Sequence, residues 1–508
     1  MNHVANPGRA SRGQGVVRAY ANVPGLILIA AAMTIAGCTD VLDADTQLSE
    51  DDIAFAAEFG DANLAKGIRG ASADVAMLKK MLVQQSPDRS LSYYRLPNSR
   101  KLADIPQDPK NPLTPGKVKL GALLYHETAL GVNAVQSDGV EGYSCASCHH
   151  AQAGFQANIP QGLAEGGIGF GFAGEGRVAN PYYDSSSPDR TPDIQPIRTP
   201  TAMNGAYQEL MLWNGQFGGI GDNIGTEAGW TGPKESNFLG LEGLETQAHA
   251  GLAVHRMSDI EVSRVYSNAK YQSMFAKAFP GEVEPINRLN AALAIGAFER
   301  TILANEAPWQ KFLQGNKNAM TDQQVRGAML FFGKAECSAC HTGPALNSMT
   351  FHALGMNDID GSVDPSRVDL RPFGGALTID DRRGRGAFSN RPEDEFAWKT
   401  PQLYNLLSSP FYGHGASFSS VRDVIEYKNA GVVENADVDL GAISPMFKPL
   451  GLSPDEVTDL TAFLEEALYD SDLMRYVPTS LPSGNCTPVN DPQAQIDLGC
   501  TDTSVAAN

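Results

Sequence analysis

The chain has 508 residues, which predicts two or three domains, and 42% of its residues are hydrophobic and 19% charged. This composition excludes an intrinsically disordered chain and a protein with many membrane spans. Thirty-nine basic residues stand against 58 acidic ones, which gives a formal net charge of −19. A surface this acidic argues against nucleic acid as a partner and suits a basic protein or a small neutral molecule.

The N-terminal segment, residues 1–37, carries three arginines and no acidic residue, and an apolar run from Leu26 to Ile35 follows the arginines. That run is short for a permanent membrane span, and small residues lead from it to Cys38. The segment resembles a bacterial lipoprotein signal, so we expect acylation of Cys38, a lipid anchor as the single membrane contact, and a periplasmic body. An uncleaved signal anchor and plain secretion are the alternatives.

The remainder is predicted to be mainly α-helical with long irregular loops. Thr114-Pro115 is a typical helix start, with an N-cap followed by proline in the first turn. Further helices are expected at 51–85, 259–312, 321–332, 421–429 and 454–468. The Gly- and Pro-rich segments 156–200 and 215–240 predict irregular loops. In the polar tail, Cys486 and Cys500 are expected to close a disulfide loop.

Two pentads carry the chemistry, Cys145-Ala146-Ser147-Cys148-His149 and Cys337-Ser338-Ala339-Cys340-His341. Two cysteines three apart can form thioethers to the vinyl groups of one haem, and the next histidine is then held under the iron. Each pentad therefore predicts one covalent haem c, with His149 and His341 as iron ligands. A shared zinc centre and a redox dithiol are weaker readings, because Cys-Cys-His packed so closely is poor zinc geometry and no βαβ context is present.

Further motifs follow in order along the chain. They are Asn111-Pro112-Leu113-Thr114, Arg198-Thr199-Pro200-Thr201, Trp213-Asn214-Gly215, Leu244-Glu245-Thr246-Gln247, Ala297-Phe298-Glu299-Arg300-Thr301, Arg326-Gly327 and Lys399-Thr400-Pro401. With the pentads, this set resembles the bacterial di-haem cytochrome c peroxidases and the related enzyme that matures the tryptophan-derived cofactor of methylamine dehydrogenase. The resemblance spans about residues 105–470 and implies two cytochrome c-like haem domains.

The implied organisation has five parts. They are a signal peptide at 1–37, an N-terminal extension at 38–110, a first, peroxidatic haem domain at 111–320, a second, electron-transferring haem domain at 321–475, and a C-terminal tail at 476–508. The resemblance places Trp213 between the two haems; a core tryptophan is the alternative role.

The resemblance also implies the surroundings of the first iron. No histidine lies near Glu165, where the peroxidases carry a resting-state ligand, so the iron is expected to be open. Gln247 matches a family residue on the open side. Where the family has a glutamate, this chain has His255 and Arg256, which are expected to move a proton and stabilise the leaving oxygen of peroxide. The alternative is that both are solvated helix residues.

The resemblance implies that the distal ligand of the second haem lies about fourteen residues after His414. That count gives Lys428, a one-residue slip gives Tyr427, and Met446 is the remaining candidate; Tyr427 is preferred. The family also binds one calcium ion between its domains through an asparagine and backbone carbonyls. Here Arg198 holds the asparagine position, which leaves calcium possible through carbonyls near 408–410. Glu299 and Arg300 are expected to form an ion pair.

The predicted function is reduction of hydrogen peroxide with electrons from a small donor protein, a cytochrome or cupredoxin. One enzymatic alternative is haem-dependent oxidation of a protein or organic substrate by peroxide or dioxygen. A non-enzymatic alternative is a di-haem electron carrier with both irons six-coordinate.

Overall fold

The structure is a computed structural model that describes residues 62–183, 189–195, 197–359 and 382–500. The predicted signal and the acylation site Cys38 lie outside these residues. The packing described below lies within Lys66–Asn508. No helix of the described ranges is long and apolar enough to cross a membrane.

Helices dominate, and the prediction of a mainly α-helical chain with long irregular loops is confirmed. The helices are α1 Ala62–Gln85, α2 Pro115–His126, α3 Gly243–Val254, α4 Arg264–Ser267, α5 Ala269–Ala278, α6 Arg288–Glu299, α7 Pro308–Leu313, α8 Asp322–Phe331, α9 Arg385–Ser389, α10 Val421–Ala430, α11 Pro454–Ala462 with a π turn at Phe463–Ala467, and α12 Pro492–Asp497. Four two-residue strands form two antiparallel pairs, β1 Gly167–Ile168 with β2 Val178–Ala179, and β3 Phe351–His352 with β4 Trp398–Lys399.

The predicted helix starts are built by local capping. The Thr114 hydroxyl accepts a hydrogen bond from the backbone of Lys117, and Pro115 opens α2. Thr321 forms a capping box with Gln324 at the start of α8. The helical region predicted at 259–312 is divided into α4 to α7; Pro280-Gly281 lies in the gap between α5 and α6, and Pro308 opens α7.

Two helix crossings, one in each half of the chain, depend on glycine. A Cβ atom on Gly121 of α2 would lie 1.8 Å from the carbonyl oxygen of Ala294 in α6. On Gly327 of α8 it would lie 2.0 Å from the carbonyl oxygen of Asp459 in α11. Both helix pairs therefore pack backbone to backbone, which explains Gly121 in α2 and the glycine of the motif Arg326-Gly327.

The C-terminal tail packs against the first half of the chain. Cys486 and Cys500 form a disulfide, as the sequence predicts. The Pro488 carbonyl accepts hydrogen bonds from the hydroxyls of Ser144 and Ser147, which flank Cys145. The tail thus covers one side of the first pentad.

Candidate functional site: two Cys-x-x-Cys-His turns

The first pentad folds into a tight turn that aligns its three functional side chains. Cys145–Ser147 is a single 3₁₀ turn, and the backbone amide of His149 bonds to the carbonyl of Cys145. His149 Nδ1 donates to the carbonyl of Phe155 at 3.4 Å, which leaves Nε2 available as a ligand. Burial, helped by the nearby His255, lowers the pKa of His149 to about 4, so the imidazole is neutral.

The second pentad repeats this arrangement. Cys337–Ala339 forms the same kind of turn, and His341 Nδ1 donates to the carbonyls of Leu346 at 3.2 Å and Pro401 at 3.0 Å. Burial, and then the charge of Lys428, lower the pKa of His341 to about 4. Both histidines therefore present a neutral Nε2 in a fixed orientation.

None of the four pentad cysteines is paired in a disulfide, so all four are available for thioether bonds. Burial raises the pKa of Cys145 and Cys148 to about 12 and that of Cys337 to about 11. No group of three or more His, Cys, Asp or Glu side chains in the described part of the chain is placed to hold a metal ion.

A cavity of about 290 Å³ adjoins the second pentad, with Cys337, Cys340 and His341 in its wall. Two buried cations, Arg198 and Lys399, line the same cavity. Neither forms an ion pair with a carboxylate of the described residues.

Each of these two cations can donate a further hydrogen bond. Arg198 Nη2 donates to Gln156 and Ser409, whereas its Nε has no hydrogen-bond partner among the described residues. Lys399 Nζ donates to Gln208 and to the carbonyl of Leu210 at 2.7 Å. Burial without an anion lowers the pKa of Lys399 to about 7 and that of Arg198 to about 10. The two propionates of a haem are the anions this cavity lacks, so its residues fit the group.

Trp213 lies in the wall of this cavity and begins an aromatic series. Its Nε1 donates to the carbonyl of Arg198 at 2.9 Å, and its ring centroid lies 6.4 Å from that of His414. Trp398 stacks on His414 at 4.0 Å, and His414 Nε2 bonds to Asp358 at 3.0 Å. Sequence reasoning did not find Trp398, although it directly precedes the Lys399-Thr400-Pro401 motif.

The two residues predicted to act on peroxide at the first pentad, His255 and Arg256, bind different partners. His255 Nδ1 bonds to Asp193 Oδ2 at 2.7 Å, and its side chain stays 31% exposed, with no hydrogen bond from Nε2 to a described residue. Burial alone would lower the pKa of His255, but Asp193 more than offsets burial, so that the pKa is raised above its ordinary value. Arg256 instead forms an ion pair with buried Glu165 and donates to the carbonyl of Thr191.

The neighbouring helix α3 carries the other predicted polar residue. Gln247 is half-buried and forms no side-chain hydrogen bond with the described residues. His249, two residues later, accepts from Arg288 and bonds to Ser236, so both of its nitrogens are occupied. Of His249 and His255, only His255 has a ring nitrogen that is not bonded to a described residue.

The candidates for the second distal ligand lie in different surroundings. The Tyr427 hydroxyl donates to the carbonyl of Leu354, and its ring packs between Phe418 and Phe447. Lys428 lines the cavity, and burial lowers its pKa. Met446 also lines the cavity, close to Cys340.

Several motifs of the first half interlock around one buried ion pair. Arg300 bonds to both carboxylate oxygens of Glu245, at 2.8 and 2.7 Å, and to Glu242. Asn111 donates to the same carboxylate. The predicted pair of Glu299 with Arg300 is wrong: Glu299 Oε2 has no partner, and burial raises the pKa of this carboxyl to about 8.

Comparisons with known proteins agree with this arrangement. A family model described as di-haem cytochrome c peroxidase matches residues 115–318. The methylamine utilization protein MauG of Methylorubrum extorquens is 27% identical over 370 residues, which are 72% of this chain and 82% of that protein. Cytochrome c551 peroxidase of Pseudomonas aeruginosa is 23% identical over 354 residues, 70% of this chain and 79% of its own.

A solved structure shows the same fold. It is described as a MauG-like protein associated with microbial copper homeostasis, and it matches with a TM-score of 0.53 at 24% identity. The match covers 75% of this chain and 96% of that one. The resemblance predicted from the ordered motifs is confirmed. The chain is similar to di-haem cytochrome c peroxidases along most of its length, and this similarity identifies it as a peroxidase-like oxidoreductase.

Proposed function

We propose that the protein reduces hydrogen peroxide to two molecules of water, with two protons and with two electrons delivered by a small donor protein. The observation that carries this proposal is the free imidazole nitrogen of His255, held by Asp193 close to His149. A donor cytochrome or cupredoxin with a basic face would suit the net charge of −19.

Each pentad would attach one haem c, the first within a domain at 111–320 and the second within one at 321–475. When bound, a haem c supplies an iron that can bind the oxidant or store an electron. Arg198 and Lys399 would neutralise the propionates of the haem at the second pentad, because both are buried cations without an acidic partner.

At the first pentad, His255 would take a proton from peroxide and return it to the departing oxygen. Asp193 supports this role because it fixes the imidazole through Nδ1 and leaves Nε2 free, as a general base requires. Gln247 has an uncommitted amide that can orient the oxidant. Arg256 would act indirectly, because its guanidinium binds the Glu165 carboxylate and the Thr191 carbonyl, both in the irregular segment 156–200.

Trp213 would carry electrons toward the first pentad. It lies in the wall of the second cavity, and the carbonyl that its Nε1 binds belongs to Arg198 of the same wall. Within the described residues, Trp213 is the cavity tryptophan supplied by the first half of the chain.

The proposal is tested with protein that carries both haems, produced in a host competent for cytochrome c assembly. We expect turnover of peroxide with a reduced small cytochrome, and a ferric spectrum in which one of two haems is high-spin. A wholly low-spin spectrum without turnover would establish an electron carrier instead, and would mean that a side chain such as His255 ligates the first iron.

Oxidation of a protein or organic substrate is the second candidate, favoured by the stacked pair of His414 and Trp398. This pair extends the aromatic series beyond Trp213, and a tryptophan at its end can be oxidised by one electron. The substrate would then supply the two electrons. Peroxide consumption that is independent of any donor protein, and that Trp398→Phe abolishes, would support this candidate over the first.

Calcium is predicted to have no role in this chain. The Arg198 guanidinium donates to Ser409, between the positions whose carbonyls would bind the ion, and a buried cation there repels a divalent one. Treatment with a chelator, followed by added calcium, is therefore expected to leave peroxidase activity and the haem spectra unchanged. Activity that falls on chelation and returns with calcium would contradict this assignment.

The periplasmic location and the lipid anchor at Cys38 complete the proposal. Support comes from the apolar run that precedes Cys38 and from the covalent haems, which are attached outside the cytoplasm in bacteria. If the Cys38→Ser variant still associates with membranes, Cys38 does not carry the anchor.

A further inference from the structure

Two parts of the wall of the second cavity bear on haem ligation. One is the pentad turn with His341, whose Nδ1 is bound to two backbone carbonyls so that Nε2 faces the cavity. The other includes one face of helix α10, from which Val421, Val424, Ile425 and Lys428 line the cavity. These residues recur at helical spacing, so they form one stripe. Lys428 is the member of the stripe with a donor atom.

Tyr427 belongs to a different face of α10. Its hydroxyl donates to the carbonyl of Leu354 at 2.6 Å, and its ring centroid lies 5.1 Å from that of Phe418 and 5.0 Å from that of Phe447. It does not line the cavity. Successive helical residues point about 100° apart, so α10 cannot turn Tyr427 inward without withdrawing Lys428.

Two other candidate iron ligands, Met446 and His352, lie at the edge of the cavity where the haem would be attached. Met446 Sδ is 3.9 Å and His352 Nε2 is 3.6 Å from Cys340 Sγ. Thioethers join the periphery of the macrocycle, whereas an axial ligand stands over its centre. His352 also bonds to Thr350 and Ser444, and the Met446 side chain is substantially exposed.

We propose that Lys428 Nζ is the sixth ligand of the haem attached at Cys337 and Cys340, opposite His341. Lys428 lies near both cysteines and His341, and it forms no ion pair with the described residues. This inference rests on the proposed function, because it requires a haem at the second pentad. Two nitrogen ligands would make this iron low-spin and closed to peroxide, and so would restrict oxidant binding to the first haem.

The test compares the ferric holoprotein with Lys428→Ala, Lys428→Met, Tyr427→Phe and Met446→Leu. Electron paramagnetic resonance and near-infrared magnetic circular dichroism report spin state and ligand type without any turnover. We expect Lys428→Ala to convert one haem equivalent from low-spin to high-spin, and added methylamine to restore the low-spin signal. Lys428→Met should introduce a sulfur-to-iron charge-transfer band. Tyr427→Phe and Met446→Leu should match the unmodified protein.

Two results would overturn the assignment. One is a spectrum of Lys428→Ala identical to that of the unmodified protein; the other is a change of ligand signature in Tyr427→Phe or Met446→Leu. Intact mass separates this failure from failure of the proposed function. Two covalent haems with the wrong ligand signature reject Lys428 alone, whereas a chain without the second haem rejects both.

Discussion

Replacing His255 with glutamine is expected to lower kcat/KM for hydrogen peroxide by about 10²–10⁴-fold, the usual contribution of a general acid–base residue. The reason is that Nε2 of this imidazole is unoccupied and lies near His149, whereas Asp193 holds Nδ1. Steady-state kinetics with a reduced donor cytochrome measures the effect. His249→Gln is the matched control, because both nitrogens of His249 are already bonded to Ser236 and Arg288.

The pH profile separates a chemical role of His255 from a structural one. Asp193 raises the pKa of His255, and a base must be neutral to accept a proton, so kcat/KM should rise with pH through that pKa. Asp193→Asn removes the charge that raises the pKa. The acid limb of the profile should therefore move to lower pH. An unshifted limb in Asp193→Asn, or full activity in His255→Gln, would contradict the assignment.

Replacing Arg300 with methionine is expected to destabilise the protein by about 3–5 kcal/mol, because it leaves a buried carboxylate without its counter-ion. The Arg300 and Glu245 side chains are both 0% exposed. Urea-induced unfolding of the holoprotein, followed by circular dichroism, gives the change in free energy.

The chain offers a control with the same bond geometry at the surface. Arg326 also makes two bonds to one carboxylate, that of Asp459, at 2.8 and 3.0 Å, but its side chain is 48% exposed. Arg326→Met should therefore cost less than about 1 kcal/mol. Equal losses in the two variants would show that burial of the Arg300 pair is not the cause.

Local features of this chain were readable from the sequence. The pentads, the cap at Thr114 and the start of α8 depend on residues within one turn of each other, and the structure contains these helix starts. The order of motifs was sufficient to predict the superfamily. Contacts between motifs were not predicted, although Asn111, Glu245 and Arg300 turn out to meet at one buried carboxylate.

The wrong pairing of Glu299 with Arg300 has a physical cause, the rotation of about 100° between successive helical residues. Glu299 and Arg300 are adjacent in sequence and therefore cannot face each other on α6. The same rotation places Lys428, and not the preceding Tyr427, on the face of α10 that lines the cavity. Asp193 could not be found for another reason: it lies in an aperiodic loop 62 residues from His255, so only the tertiary fold brings the two together.

The tail also sets an order of assembly. Its Pro488 carbonyl closes over Ser144 and Ser147, and so over the turn where the first prosthetic group must be attached. In the proposed di-haem protein, that turn would be modified while the last residues of the polypeptide are still undocked. The proposed periplasmic location would require one compartment to keep Cys145 and Cys148 reduced and to oxidise Cys486 with Cys500. Maturation would then need opposite redox treatment of two cysteine pairs in one chain.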